Sequence, residues 1–301
     1  MKDRIDIQIT KKLILVGLVF LLVQPVTAAL FSSKKTAEKI RERIAQLPEN
    51  GRLRTKSILY SDLGTFYYKN GEFEDAAEAF EKSLQYRPNR FMKRHIYRFL
   101  GKSYESYGRL DKCLAAYEQS VYYDRRNWKR HRDLAQIYEK VHLYENAIES
   151  YRIAIKRSHK EGSLCVSLGR TYRKMGLYKE AEENLLKAQS LSPQDKTFYR
   201  ELSLVYEGKS QFQKALLTFE KVISESSPAE DWIRFVYLSV LSDNKTFANQ
   251  GMDQLRKKKV TEETLNFYET LAQLTNGTLE NLFTQKETDP MIERLFTEIV
   301  R

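Results

Sequence analysis

The chain has 301 residues, a formal net charge of +11, 42% hydrophobic residues and only two cysteines. That apolar content excludes a wholly disordered chain, and so few cysteines exclude a disulfide-built scaffold. The positive balance favours anionic partners without choosing between acidic peptide, lipid, polysaccharide and nucleic acid.

Residues 1–12 carry Lys2, Arg4, Lys11 and Lys12 against Asp3 and Asp6, and an unbroken apolar run of eleven residues follows from Leu13 to Val23. A bilayer core needs ~20 residues, so the run is short for a span. Gln24 and Pro25 end it, and Val26-Thr27-Ala28-Ala29 offers small residues suited to cleavage. This is the order of a secretory signal peptide. Residues 1–28 are therefore expected to be a signal peptide, and the protein to be exported, periplasmic or envelope-associated. Its removal takes away four basic and two acidic residues, which leaves about +9. The alternative is an uncleaved inner-membrane anchor over residues 13–31, because the apolar stretch reaches Phe31 if Gln24 and Pro25 are tolerated.

Residues 29–56 read as a linker and an N-terminal capping helix. Ala37, Ile40 and Ile44 share one helical face, Ser33 suits an N-cap, and Pro48-Glu49-Asn50-Gly51 reads as a turn.

A repeated pattern begins at Ser57. Tyr60, Leu63, Gly64 and Tyr67 stand at positions 4, 7, 8 and 11 of a 34-residue unit, the spacing of one helix face. Ala76, Phe80 and Ser83 at positions 20, 24 and 27 mark a second helix, with Gly71 at position 15 between them and Pro88 after them. The same grammar returns from Arg94, Trp128, Gly162 and Lys196, spaced 34 residues apart, and residues 91–93 alone interrupt the register. The position-11 tyrosines are Tyr67, Tyr104, Tyr138, Tyr172 and Tyr206. A hairpin this short cannot bury its own apolar stripes and needs copies stacked against it.

In period and pattern, residues 57–229 resemble the tetratricopeptide repeat (TPR) family. The resemblance implies an all-α, right-handed superhelical solenoid of stacked antiparallel helix pairs with five clear repeats. Residues 230–259, with Ile233, Val236, Tyr237 and Val240, are expected to form a degenerate sixth repeat counted from Glu230. Residues 260–301 are expected to supply C-terminal capping helices. The first opens at Thr261 and carries Leu265 and Tyr268, a shorter one follows Thr278, and the last opens at Asp289-Pro290.

The resemblance also implies that the first helix of each repeat lines a concave groove through positions 2, 5, 9, 12 and 13. Over the five clear repeats these 25 positions hold ten Lys or Arg and three acids, Glu105, Glu139 and Glu207. The expected partner-binding residues are Arg98, Lys102, Lys129, Arg132, Arg170, Arg173 and Arg200, with Arg234 from the sixth repeat. Arginine presents a planar fork that grips a carboxylate through two hydrogen bonds. Some TPR domains clamp a C-terminal carboxylate with Lys at position 5 and Asn at position 9 of the first repeat. Ser61 and Thr65 stand there instead, so that clamp does not carry over.

No catalytic constellation, cofactor loop or metal-ligand spacing appears. His95, His131, His142 and His159 are scattered, and Cys113 and Cys165 fall on repeat core positions. The reading is a non-catalytic scaffold, without catalytic residues, cofactor or metal, that takes an acidic protein or peptide in a basic groove. A role in envelope assembly or secretion follows from the N-terminal segment. The alternative is binding of an anionic polymer or lipid, with membrane association through residues 13–31. Nucleic acid is disfavoured unless the repeats are anchored in the cytoplasm.

Overall fold

The structure, a computed structural model, describes residues 35–48, 52–158, 161–258 and 260–273. The expected signal peptide, the N-cap at Ser33 and the helices expected beyond Thr278 lie outside them. Among the described residues there are fourteen helices and no strand. Helix α1 spans residues 35–45. The pairs are α2 (Leu53–Lys69) with α3 (Phe73–Gln85), and α4 (Arg90–Tyr107) with α5 (Leu110–Tyr123). They continue as α6 (Trp128–Lys140) and α7 (Tyr144–Ser158), then α8 (Gly162–Lys174) and α9 (Tyr178–Leu191). Next come α10 (Thr197–Gly208) and α11 (Phe212–Glu220), then α12 (Ala229–Leu241) and α13 (Lys245–Arg256), and finally α14 (Glu262–Gln273). No described helix is long and apolar enough to cross a membrane. The chain divides into two compact halves inside α6, between Ile137 and Tyr138, which is not a repeat boundary.

The turn within each repeat is built the same way. In repeats one to five the residue at position 15 is left-handed: Gly71 (φ 80°), Gly108 (83°), His142 (60°), Gly176 (74°) and Ser210 (55°). The N–H of the next residue then reaches back to the carbonyl of the position-11 tyrosine, as in Glu72 to Tyr67 at 2.9 Å and Gln211 to Tyr206 at 2.8 Å. This six-to-one bond satisfies a carbonyl that the helix end leaves open. In all six repeats the second helix opens at position 17, with Phe73, Leu110, Tyr144, Tyr178, Phe212 and Lys245.

The sixth repeat is regular once it is counted from Ala229 rather than Glu230. The left-handed residue is Asp243, and Asn244 N–H returns to Ser239 at 2.8 Å. In that register positions 4, 8, 20 and 24 are Trp232, Val236, Ala248 and Met252, all buried. Its core joins Leu216 and Phe219 of repeat five, and Leu265 and Tyr268 of α14 pack against it. Thr261 Oγ1 accepts from Thr264 N–H at 3.3 Å at the start of α14.

Glycine at position 8 sets the spacing inside the pairs of repeats one, two and four. A Cβ on Gly64 would stand 2.9 Å from the Phe80 ring, one on Gly101 would stand 2.9 Å from Tyr117, and one on Gly169 would stand 2.7 Å from Leu185. Each neighbour is the position-24 residue of the same repeat, fully or almost fully buried. Residues 91–93 do not form a loop. They become an extra N-terminal turn of the 18-residue α4, capped by Asn89, whose side chain accepts from Met92 N–H at 2.9 Å.

Tyr67, Tyr104 and Tyr172 are buried, whereas Tyr138 and Tyr206 are half-buried. The hydroxyls of Tyr104, Tyr172 and Tyr206 tie their hairpins to the helix before. Tyr104 donates to Glu81, Arg152 donates to Tyr172 at 2.7 Å, and Tyr206 donates to Glu182 at 3.0 Å. Tyr67 makes the equivalent bond to Arg41 of α1. In this place α1 stands in for the second helix of a preceding repeat.

Candidate functional site

The cations expected to line the binding face divide into two groups. In the C-terminal half they are bound to carboxylates of adjacent repeats. Arg200 holds Asp231 through two parallel hydrogen bonds of 2.5 and 2.8 Å. The bond from Asp231 raises the already high pKa of Arg200, against the opposing effect of burial. Glu201 accepts from Arg170 at 2.6 Å and from Arg173 at 3.2 Å. For Arg170 burial is the largest influence and works against the charge, but the bond and charge of Glu201 prevail and raise the pKa. Arg234 donates to Glu207. In the corrected register Arg234 stands at position 6, not position 5, so it is not a rung of the expected ladder. Lys174 reaches back to Glu139 at 3.9 Å.

The acids expected on this face are likewise engaged. Tyr117 donates to Glu105 at 3.0 Å, and Tyr151 and Thr171 donate to Glu139 at 2.9 and 2.8 Å. Burial, reinforced by these carboxylates, raises the pKa of both Tyr117 and Tyr151. Both stay neutral donors at any physiological pH.

The N-terminal half is different. Among the described residues no carboxylate pairs with Arg98, Lys102 or Lys129. Arg98 lies 5.5 Å from the Phe99 ring centre, and its buried Nε has no hydrogen-bond partner. Lys129 and Arg132 lie over Trp128, each 5.6 Å from its ring. Arg132 also contacts Asp133 at 2.6 Å. His95 stacks near Phe99 at 4.6 Å and meets Thr65 Oγ1 at 3.3 Å. Although His95 is exposed, desolvation by the groups around its ring lowers its pKa, Arg98 and Arg130 lower it further, and Asp62 opposes them. Burial and then Arg98 also lower the pKa of Arg130, whose Nε stands 3.4 Å from Asp124 without a hydrogen bond. His95, Arg98 and Arg130 thus form a group of like charges, offset in part by Asp62 and Asp124.

The expected site residues therefore do not form one uniform ladder. Arg98 and Lys102 lie on α4 and Lys129 and Arg132 on α6, both in the N-terminal half. Arg170, Arg173, Arg200 and Arg234 are ties between repeats in the C-terminal half. The partners that make the difference, Glu201 and Asp231, were absent from the expectation. Glu201 stands at position 6, and Asp231 at position 3 in the corrected register, neither of which is assigned to the inner face. Their signal was present in the sequence as acids one repeat after a basic position 5 or 9.

Comparison with known proteins agrees with the repeat architecture. Models of the tetratricopeptide repeat match residues 57–90 and residues 162–195. These two segments are tetratricopeptide repeats. No curated protein matches the chain. Among solved structures, the C-terminal part of a TPR protein from Cytophaga hutchinsonii is similar at 14% identity. It has a TM-score of 0.64 and covers 78% of this chain and 94% of its own. A tetratricopeptide repeat protein from Parabacteroides merdae is similar at 17% identity, with a TM-score of 0.55 over 82% of this chain and 94% of its own. YrrB, described as a TPR protein with an unusual peptide-binding site, is similar at 15% identity, with a TM-score of 0.51 over 72% of this chain and 99% of its own. At these identities the likeness shows the fold alone, and that fold is the TPR solenoid.

Proposed function

We propose that this TPR protein is a non-catalytic scaffold that holds an acidic segment of a protein partner against Arg98, Lys102 and Lys129. The observation that carries this reading is the contrast between the halves. The C-terminal cations already have carboxylate partners, and an incoming anion would have to displace them. Among the described residues Arg98 and Lys102 have none. A carboxylate placed there would relieve the mutual repulsion of Arg98, Arg130 and protonated His95. YrrB, of similar fold, is described as binding peptide, so the architecture accommodates such a ligand.

The test is binding of a fluorescent poly-glutamate peptide, followed by anisotropy. Reversal of Arg98 and Lys102 to Glu is expected to cost at least about tenfold in affinity, since each lost charge-assisted bond is worth ~1.5 kcal/mol or more. A variant that keeps its helical circular dichroism and binds unchanged would remove this face from the account. Affinity for a peptide held at a few fixed carboxylates declines modestly with salt. A steep logarithmic decline with RNA or polysaccharide as ligand would favour a polymer instead.

The envelope role rests on the order of basic, apolar and small residues in 1–29. N-terminal sequencing after cell fractionation tests it. Export predicts a start at Ala29 or Leu30 in the soluble envelope fraction, and an intact Met1 in the membrane fraction would select the anchor.

A further inference from the structure

Phe91 is the most exposed large hydrophobic side chain among the described residues, at 70%. It belongs to the three residues that break the repeat period and are taken up as the extra turn of α4. The extra turn places Phe91 beyond the hairpin core. Its only ring partner is Arg94, whose guanidinium lies 4.8 Å from the ring centre. Arg94 in turn reaches Asp124 at 3.5 Å. Next to Asp124, Arg125 lies 4.8 Å from the ring of Tyr122, which is 51% exposed. This chain of contacts joins the start of α4 to the end of α5 on one edge of the N-terminal half. It is the edge opposite the Gly71 and Gly108 turns, because the helices are antiparallel.

Apart from Asp124, the charges named on this edge are positive. Between Glu81 and Arg98 the sequence contains no acid and five Lys or Arg, among them the exposed Arg90 and the half-buried Lys93. Asp124 is already committed to Arg94 and Arg130. Two projecting aromatic rings flanked by cations, on an edge made of helix ends, suit a flat anionic boundary. The rings enter the headgroup region while the cations stay at the phosphates. A single strand of nucleic acid asks instead for a groove with a succession of stacking faces. Here a guanidinium lies over each exposed ring.

We infer that the edge formed by Arg90, Phe91, Lys93, Arg94, Tyr122 and Arg125 is a docking surface for the anionic phospholipid headgroups of a bilayer. It is separate from Arg98 and Lys102, so it stands or falls independently of the peptide reading.

A probe at residue 91 tests this in the full chain, whatever residues 1–34 do. Cys113 and Cys165 are both fully buried, so a Phe91→Cys variant takes an environment-sensitive thiol dye at residue 91 alone. Vesicles of equal parts phosphatidylglycerol and phosphatidylcholine are expected to raise the dye emission several-fold and shift it to the blue. Pure phosphatidylcholine should leave it unchanged. Each basic residue near an anionic surface changes affinity about fivefold, so adding Arg90→Ser, Lys93→Ser and Arg125→Ser should weaken the response about a hundredfold. About 0.5 M salt should abolish it. Dye emission that stays at its aqueous value while the chain sediments with the anionic vesicles would overturn the proposal. So would an equal response to neutral vesicles. A response to single-stranded RNA with none to vesicles would assign the edge to nucleic acid and overturn it as well.

Discussion

His142 and Ser210 occupy a backbone position that repeats one, two and four give to glycine. A non-glycine residue in this conformation costs ~1 kcal/mol or more. Ser210→Gly is therefore expected to raise stability by about 1 kcal/mol, read as a higher urea midpoint. Gly176→Ala should lower it by a similar amount, since nothing lies within 4 Å of the added carbon and backbone strain alone remains. An unchanged midpoint in both would remove strain from the account of this turn. His95 makes a prediction of the opposite kind. Its folded pKa lies below the ordinary 6.5, so between those two values the unfolded chain binds more protons than the folded one. Stability must then rise with pH across that window and fall as the pH drops below 6.5. His95→Gln should flatten the dependence, measured as urea stability on either side of the window.

At the level of helices, the ends were legible and the ties between them were not. Apolar spacing and a turn residue at position 15 located every second helix, because burial and chain reversal act within one hairpin. Residues 91–93 interrupt the register, yet they lengthen α4 by a turn that Asn89 caps. The one-residue slip in the sixth repeat arose because Tyr237 and Val240 fit the helical period almost as well as Val236 and Ser239. Asp243 settles the register through its backbone. The partners of Arg170, Arg173 and Arg200 lie about one repeat downstream, beyond any spacing within a helix. Glu201 is mostly buried and serves two guanidinium groups. Glu201→Gln should cost about 2 kcal/mol in urea unfolding, whereas Arg98→Gln should change stability little and peptide affinity much. Equal stability losses in the two variants would erase the distinction between tying and binding arginines.

For the whole chain, the 34-residue period points to a single run of repeats. The helix pairs follow one another in sequence, and the division into compact halves falls inside α6. In such an array each hairpin depends on its neighbours and little else. A cavity at Leu216, buried beside Phe219, Trp232 and Phe235, should therefore act locally. Leu216→Ala is expected to cost 2–5 kcal/mol, about the range for buried leucine. Hydrogen exchange should accelerate over α10–α13 and stay unchanged over α2–α5. Uniform acceleration would instead mean that the array melts as one cooperative block.

The hairpins share a shape, but the polar bonds that fasten them vary along the chain. Glu81 meets a tyrosine hydroxyl, Arg152 meets another with the donor reversed, and Asp231 answers an arginine fork. Transposing two hairpins whose joints differ would keep the apolar faces matched and strand the polar ones, so part of their order along the chain is written in charge while their form is written in glycine and tyrosine.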